Sequence, residues 1–172
     1  MKHQYKNVFI ILFSICFMFL VITSYVSAEE SPNADTSLDE KSCEKKKNLF
    51  NQILCYTALA TKLDDVSICD AASHEGVRYQ CYAIYAELRS KPDVCEAIPS
   101  KSAELKGLRD VCISDVAKKA GDFTLCKKIK TQGLRDSCYL GVAKKTGDTS
   151  ICDKIQDKGL KSSCTGKPVY IK

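Results

Sequence analysis

Histidine is nearly missing from this chain of 172 residues: only His3 and His74 occur. With a single histidine beyond the N-terminal segment, proton relays and histidine metal sites have almost nothing to draw on. His74 stands beside an expected turn and reads as an exposed loop residue. The motifs G-x-S-x-G and H-E-x-x-H are absent, as is any phosphate-binding glycine loop. No two cysteines stand closer than 12 residues, which excludes the C-x-x-C pairs of zinc fingers and thiol oxidoreductases. No catalytic residue, metal site or cofactor is therefore expected, and the chain does not read as an enzyme.

Cysteine itself is plentiful. Ten of the 11 cysteines run from Cys43 to Cys164 with gaps of 12, 14, 12, 14, 17, 14, 12, 14 and 12 residues. A period of 26 that recurs so strictly marks tandem supersecondary units. The expected fold class is all-α, a short solenoid of helical hairpins stapled by disulfides.

Residues 1–28 resemble an export segment. Lys2 and Lys6 precede an uncharged apolar run from Val8 to Val26, and Val26-Ser27-Ala28 offers small residues for cleavage. The run of 19 residues also approaches the roughly 20 needed to cross a bilayer, so a cleaved signal and an N-terminal membrane anchor both fit. Either places the remainder outside the cytoplasm. Residues 29–38 read as a flexible acidic linker, 39–165 as a five-unit array and 166–172 as a tail. The final helix reads as a stub, in the manner of a capping repeat. Charge divides unevenly: 29–100 carries a net −5 and 101–172 a net +8.

Aligned on Cys43, Cys69, Cys95, Cys126 and Cys152, four units carry aspartate four residues earlier, at Asp39, Asp65, Asp122 and Asp148. Aspartate is a good helix N-cap, and Lys91 in the remaining unit is followed by Pro92, which suits the first helical position. A short helix should open each unit. Five residues before the second cysteine stand Gly76, Gly107, Gly133 and Gly159, expected to break that helix. A longer helix follows, its apolar stripe in the fourth unit being Leu134, Cys138, Tyr139, Val142 and Ala143. Ala60, Ala86 and Ala117 share the column of Ala143 and suggest a close helix crossing. Lysine pairs followed by Gly121 or Gly147 should end the helix.

Two regular cysteine pairings are available. In the first, the midpoint of Cys152 and Cys164 falls at Lys158, beside Gly159, so both sulfurs lie level in an antiparallel hairpin. Pairing Cys138 with Cys152 staggers them by about 6 Å along the helices, which strains a bridge. The expected bonds are Cys43–Cys55, Cys69–Cys81, Cys95–Cys112, Cys126–Cys138 and Cys152–Cys164. The insertion 101–105 should lengthen the turn inside the third.

The remaining candidates are surface features. Tyr56, Tyr82 and Tyr139 follow their cysteines, reading as inter-helix packing or as a ligand platform. Lys118, Lys119, Lys127, Lys128, Lys144 and Lys145 read as a solvated face or as a contact for an acidic protein or anionic surface; nucleic acid is not expected as a partner, and membrane contact is expected only through the N-terminal segment if it stays uncleaved. Arg109-Asp110 and Arg135-Asp136 share one register and suggest ion pairs to adjacent units. The pattern Arg135-Asp136-Ser137-Cys138-Tyr139 with Ala143, Asp148, Cys152 and Ile155 resembles short cysteine-bearing helical repeats of exported microbial proteins. That resemblance implies a helical array and no particular activity. The functional expectation is an exported binding or structural module, with thiol-based storage of a soft metal such as copper as the alternative.

Overall fold

The computed structural model describes residues 39–166. The expected export segment, the linker and residues 167–172 lie outside the described residues. Among the described residues every regular element is helical, and they form five hairpin units in series.

Each unit pairs a short helix with a longer one. The short helices are Glu40–Glu44, Val66–Ala71, Pro92–Glu96, Leu125–Lys128 and Thr149–Lys154; the second, fourth and fifth are 3₁₀ rather than α. Pieces of four to six residues have too few i→i−4 bonds to impose α geometry, so the tighter winding competes. Asp65 and Asp148 are the N-caps expected of them, whereas Asp122 makes the same bonds just ahead of a helix whose N-cap is Thr124. Each carboxylate accepts the backbone N–H and the hydroxyl of the residue two positions on, at Ser67, Thr124 and Ser150. Asp39 instead forms a capping box with Ser42.

All five short helices close identically. The N–H three residues after the first cysteine, at Lys46, Ala72, Ile98, Ile129 and Ile155, donates to that cysteine's carbonyl at 3.1–3.2 Å. Four of these five side chains are apolar, and all four are buried. The turn is thus pinned to the core.

The longer helices are Leu49–Leu63, Glu75–Arg89, Ala103–Ala120, Gln132–Thr146 and Lys158–Thr165. Here the glycine column differs from expectation. Gly76, Gly133 and Gly159 occupy the second position of the long helix and Gly107 the fifth, and none breaks the short one. Cβ atoms at Gly76 and Gly159 would come within 3.1 and 3.2 Å of the His74 and Asp157 side chains, which fold back to cap these same helices. Glycine leaves room for the cap. The insertion in unit three also acts differently: its helix has 18 residues against 15 in units one, two and four, so most of the extra chain continues the helix.

Every long helix ends in a left-handed residue: Asp64, Ser90, Gly121, Gly147 and Gly166. The N–H after the first three of these reaches back to Ala60, Ala86 and Ala117 at 2.9–3.0 Å, the terminating bond of a Schellman motif. The alanine column therefore has two duties. It accepts that bond and it lies buried between packed helices.

The five bridges are Cys43–Cys55, Cys69–Cys81, Cys95–Cys112, Cys126–Cys138 and Cys152–Cys164, with Cα separations of 5.3–5.7 Å. That is the pairing the midpoint argument gives. Every long helix packs on its own short helix, and the long helices of units one to four pack successively on one another. One continuous core of cysteine, tyrosine, isoleucine, valine and alanine runs through the array.

Candidate functional site

The buried polar groups sit at the seams between units. Asp110 and Asp136 have 0% and 1% of their surface exposed. Asp110 accepts the backbone N–H groups of Lys130 (3.1 Å) and Thr131 (2.9 Å), where the next unit's long helix begins. Asp136 repeats this on Gln156 (3.2 Å) and Asp157 (2.9 Å), with a further bond from the Gln132 amide. Burial alone would raise both carboxyl pKa values. The hydrogen bonds outweigh it and hold both below the ordinary aspartate value.

These carboxylates correct the expected arginine–aspartate ion pairs. Arg135 and Arg78 turn inward to their own units, donating to the carbonyls of Ile129 and Ala72 at 2.8 and 2.9 Å. The acid and the base therefore serve backbone groups of different units. Backbone targets won because helix ends present unpaired N–H and C=O groups that burial would otherwise leave unmet.

Between units one and two the job passes to Glu44. Its carboxylate accepts from the Ser73 hydroxyl and from Tyr56 Oη at 2.8 Å, and the Ser73 and Tyr56 bonds hold its pKa below the usual carboxylate range. Unit two carries Tyr79 where units three and four carry aspartate, and the unit after it holds the insertion. Position and partner change together.

The tyrosines lie inside. Tyr56 is 0% exposed, Tyr139 5% and Tyr82 9%, so they pack between helices and offer no platform to a ligand. Burial raises the Tyr56 and Tyr139 phenols, and burial with the Asp70 hydrogen bond pushes Tyr82 up to about 12. The reason is positional: the residue after the second cysteine belongs to the stripe that faces the core.

The lysines divide. Lys119 Nζ donates to the Leu88 carbonyl at 2.6 Å and Lys145 Nζ to the Lys119 carbonyl, so each cation caps the C-terminus of the preceding helix rather than its own. Arg89 does the same at Thr61. Lys118 pairs with Asp115 at 2.6 Å while its stem lies across unit four, where a Cβ at Gly141 would come within 2.6 Å of it. Lys128 reaches Glu96 at 2.7 Å, joining consecutive short helices. Lys127 and Lys144 point to solvent.

His74 is the N-cap of the second long helix, its Nδ1 accepting from Gly76 N–H at 3.1 Å. Among the described residues no group of three histidine, cysteine, aspartate or glutamate side chains could hold a metal ion. None of their helices is long and apolar enough to cross a membrane. The five bridges speak for an oxidising, extracytoplasmic environment. A shallow groove between units one and two is lined by Asp39, Glu40, Lys41, Leu59, Leu63, Asp65 and Ile68, and in it Asp39 and Asp65 accept the backbone N–H groups of Ser42 and Ser67.

Sequence reasoning missed the staples at Asp110 and Asp136, although their shared register was visible. It also missed Asp64 and Ser90 as left-handed termini. Alignment with Gly121 and Gly147 was the signal for those two. Comparison with family models, curated proteins and solved structures finds no match for this chain.

Proposed function

We propose that this domain is an exported scaffold, secreted, periplasmic or held at the cell surface, that works by presenting a rigid surface to a protein or anionic partner and catalyses no reaction. One observation carries the reading. Ten cysteines are consumed in bridges, and the two fully buried carboxylates are consumed on backbone N–H groups of neighbouring units. The chemistry-bearing side chains of the interior hold the array together.

Bridged sulfur offers no thiolate, so storage of a soft metal requires the reduced chain. Non-reducing peptide mapping of exported protein, with thiol titration and metal analysis, separates the two readings. Five bridges and no free thiol are expected. Copper co-purifying in proportion to cysteine would reverse the conclusion.

A further inference from the structure

Unit one differs from the others on its outer face. Its turn carries Lys45, Lys46 and Lys47, all exposed, and these residues make no ion pair among the described residues. The helix that follows opens with Leu49 and Phe50, which are 46% and 66% exposed, and one turn later shows Leu54 at 50%. Phe50, Leu54 and exposed Ala58 form a line at spacing four along this helix. The same columns hold Gly133, Ser137 and Gly141 in unit four, where the stem of Lys118 from the preceding unit lies over Gly141. In unit one Phe50 stands where unit four has glycine, and it is the most exposed large apolar side chain among the described residues.

We propose that this face docks onto an anionic lipid bilayer, with Phe50 and Leu54 entering the interface and Lys45, Lys46 and Lys47 meeting the headgroups. The inference rests on the reading of the domain as a surface-acting module. Three cations with no ion pair among the described residues, beside an aromatic and two leucines, match the chemistry of interfacial binding, in which apolar burial and electrostatic attraction act together. A second copy fits worse, because a two-fold contact through this face would bring three lysines against three. The patch is a convex line on one helix, which suits a fluid surface better than a shaped partner. The sequence also leaves only 12 residues between the uncharged run Val8–Val26 and Asp39, a span of at most about 47 Å, so any bilayer holding that run is within reach of unit one.

The chain contains no tryptophan, which supplies a clean probe. Phe50→Trp in the exported protein would be its sole indole. On vesicles of mixed phosphatidylglycerol and phosphatidylcholine its emission should shift to shorter wavelength and be quenched by brominated acyl chains. On phosphatidylcholine alone it should stay unshifted. Changing Lys45, Lys46 and Lys47 to Gln in that background should weaken partitioning roughly a hundredfold. Leu88→Trp, at a 48% exposed site in unit two, should remain unshifted on either vesicle. An unshifted Phe50→Trp on anionic vesicles overturns the proposal, even where the protein sediments with them through another segment. So does an equal shift at Leu88→Trp, a shift without lipid that grows with protein concentration, or a shift produced by polyglutamate and not by vesicles. A non-reducing map of the same sample keeps the two readings apart: five intact bridges with an unshifted indole remove the lipid patch and leave the scaffold standing.

Discussion

Asp136 Oδ2 lies 2.9 Å from the backbone nitrogen of Asp157, one unit along the array, and no water-exposed surface of the carboxylate remains to compensate if the bond is lost. The same relation joins Asp110 to Thr131. Removing either acid takes away the acceptor of two N–H groups at the start of the next long helix.

Asp136→Ala should therefore destabilise the domain by about 1–3 kcal/mol, measured by urea denaturation with bridges intact. Asp110→Ala should cost a similar amount. The two act at different seams, so the double variant should be additive within about 0.5 kcal/mol. A loss below about 0.5 kcal/mol for both would show that the staples do not hold the seams.

Acid should expose the same bonds. Both folded-state pKa values are depressed, so the stability these carboxylates contribute is present above the unfolded aspartate pKa near about 3.9 and is lost as pH falls through the lower folded value. Wild-type stability should fall steeply below about pH 4, and the double alanine variant should fall less. Parallel curves for the two proteins would contradict this.

Reduction should proceed from the C-terminal end. Cys126 and Cys138 are each 0% exposed, whereas Cys164 is only partly buried against the core. Timed reduction with alkylation and peptide mapping should open Cys152–Cys164 before Cys126–Cys138. Replacing the inner pair by serine should cost about 2–4 kcal/mol. Simultaneous opening of both bridges would argue against burial as the control.

Helix termini offer a backbone test. Ser90 sits at φ 54° without the side-chain network that surrounds Asp64, so Ser90→Gly should stabilise the domain by about 1 kcal/mol. Gly121→Ala should do the opposite, since its φ is 72° and a Cβ would meet Thr146 Cγ2 at 3.2 Å. Thermal melts of the two variants in opposite directions are the expected result.

Part of this architecture is legible in the sequence. The spacing of 12 residues sets Cys152 and Cys164 on the two arms of one hairpin and so foretells their pairing, although the connection falls at 155–157, ahead of the midpoint Lys158, which opens the long helix. The apolar stripe through Cys138, Tyr139, Val142 and Ala143 likewise follows from helical period alone. These are local relations, settled within one unit.

Other features depended on how units stack. Whether Asp136 pairs with an arginine or caps a helix 20 residues away is decided by the rotation between neighbouring hairpins, which no spacing within a unit encodes. The same stacking sets Lys119 and Lys145 over the preceding helix ends. Composition and period thus determined the bridges, the helices and their inward stripe. Tertiary packing alone decided which polar side chains became inter-unit caps, since an unpaired backbone group recruits whichever donor or acceptor the stack brings within about 3 Å.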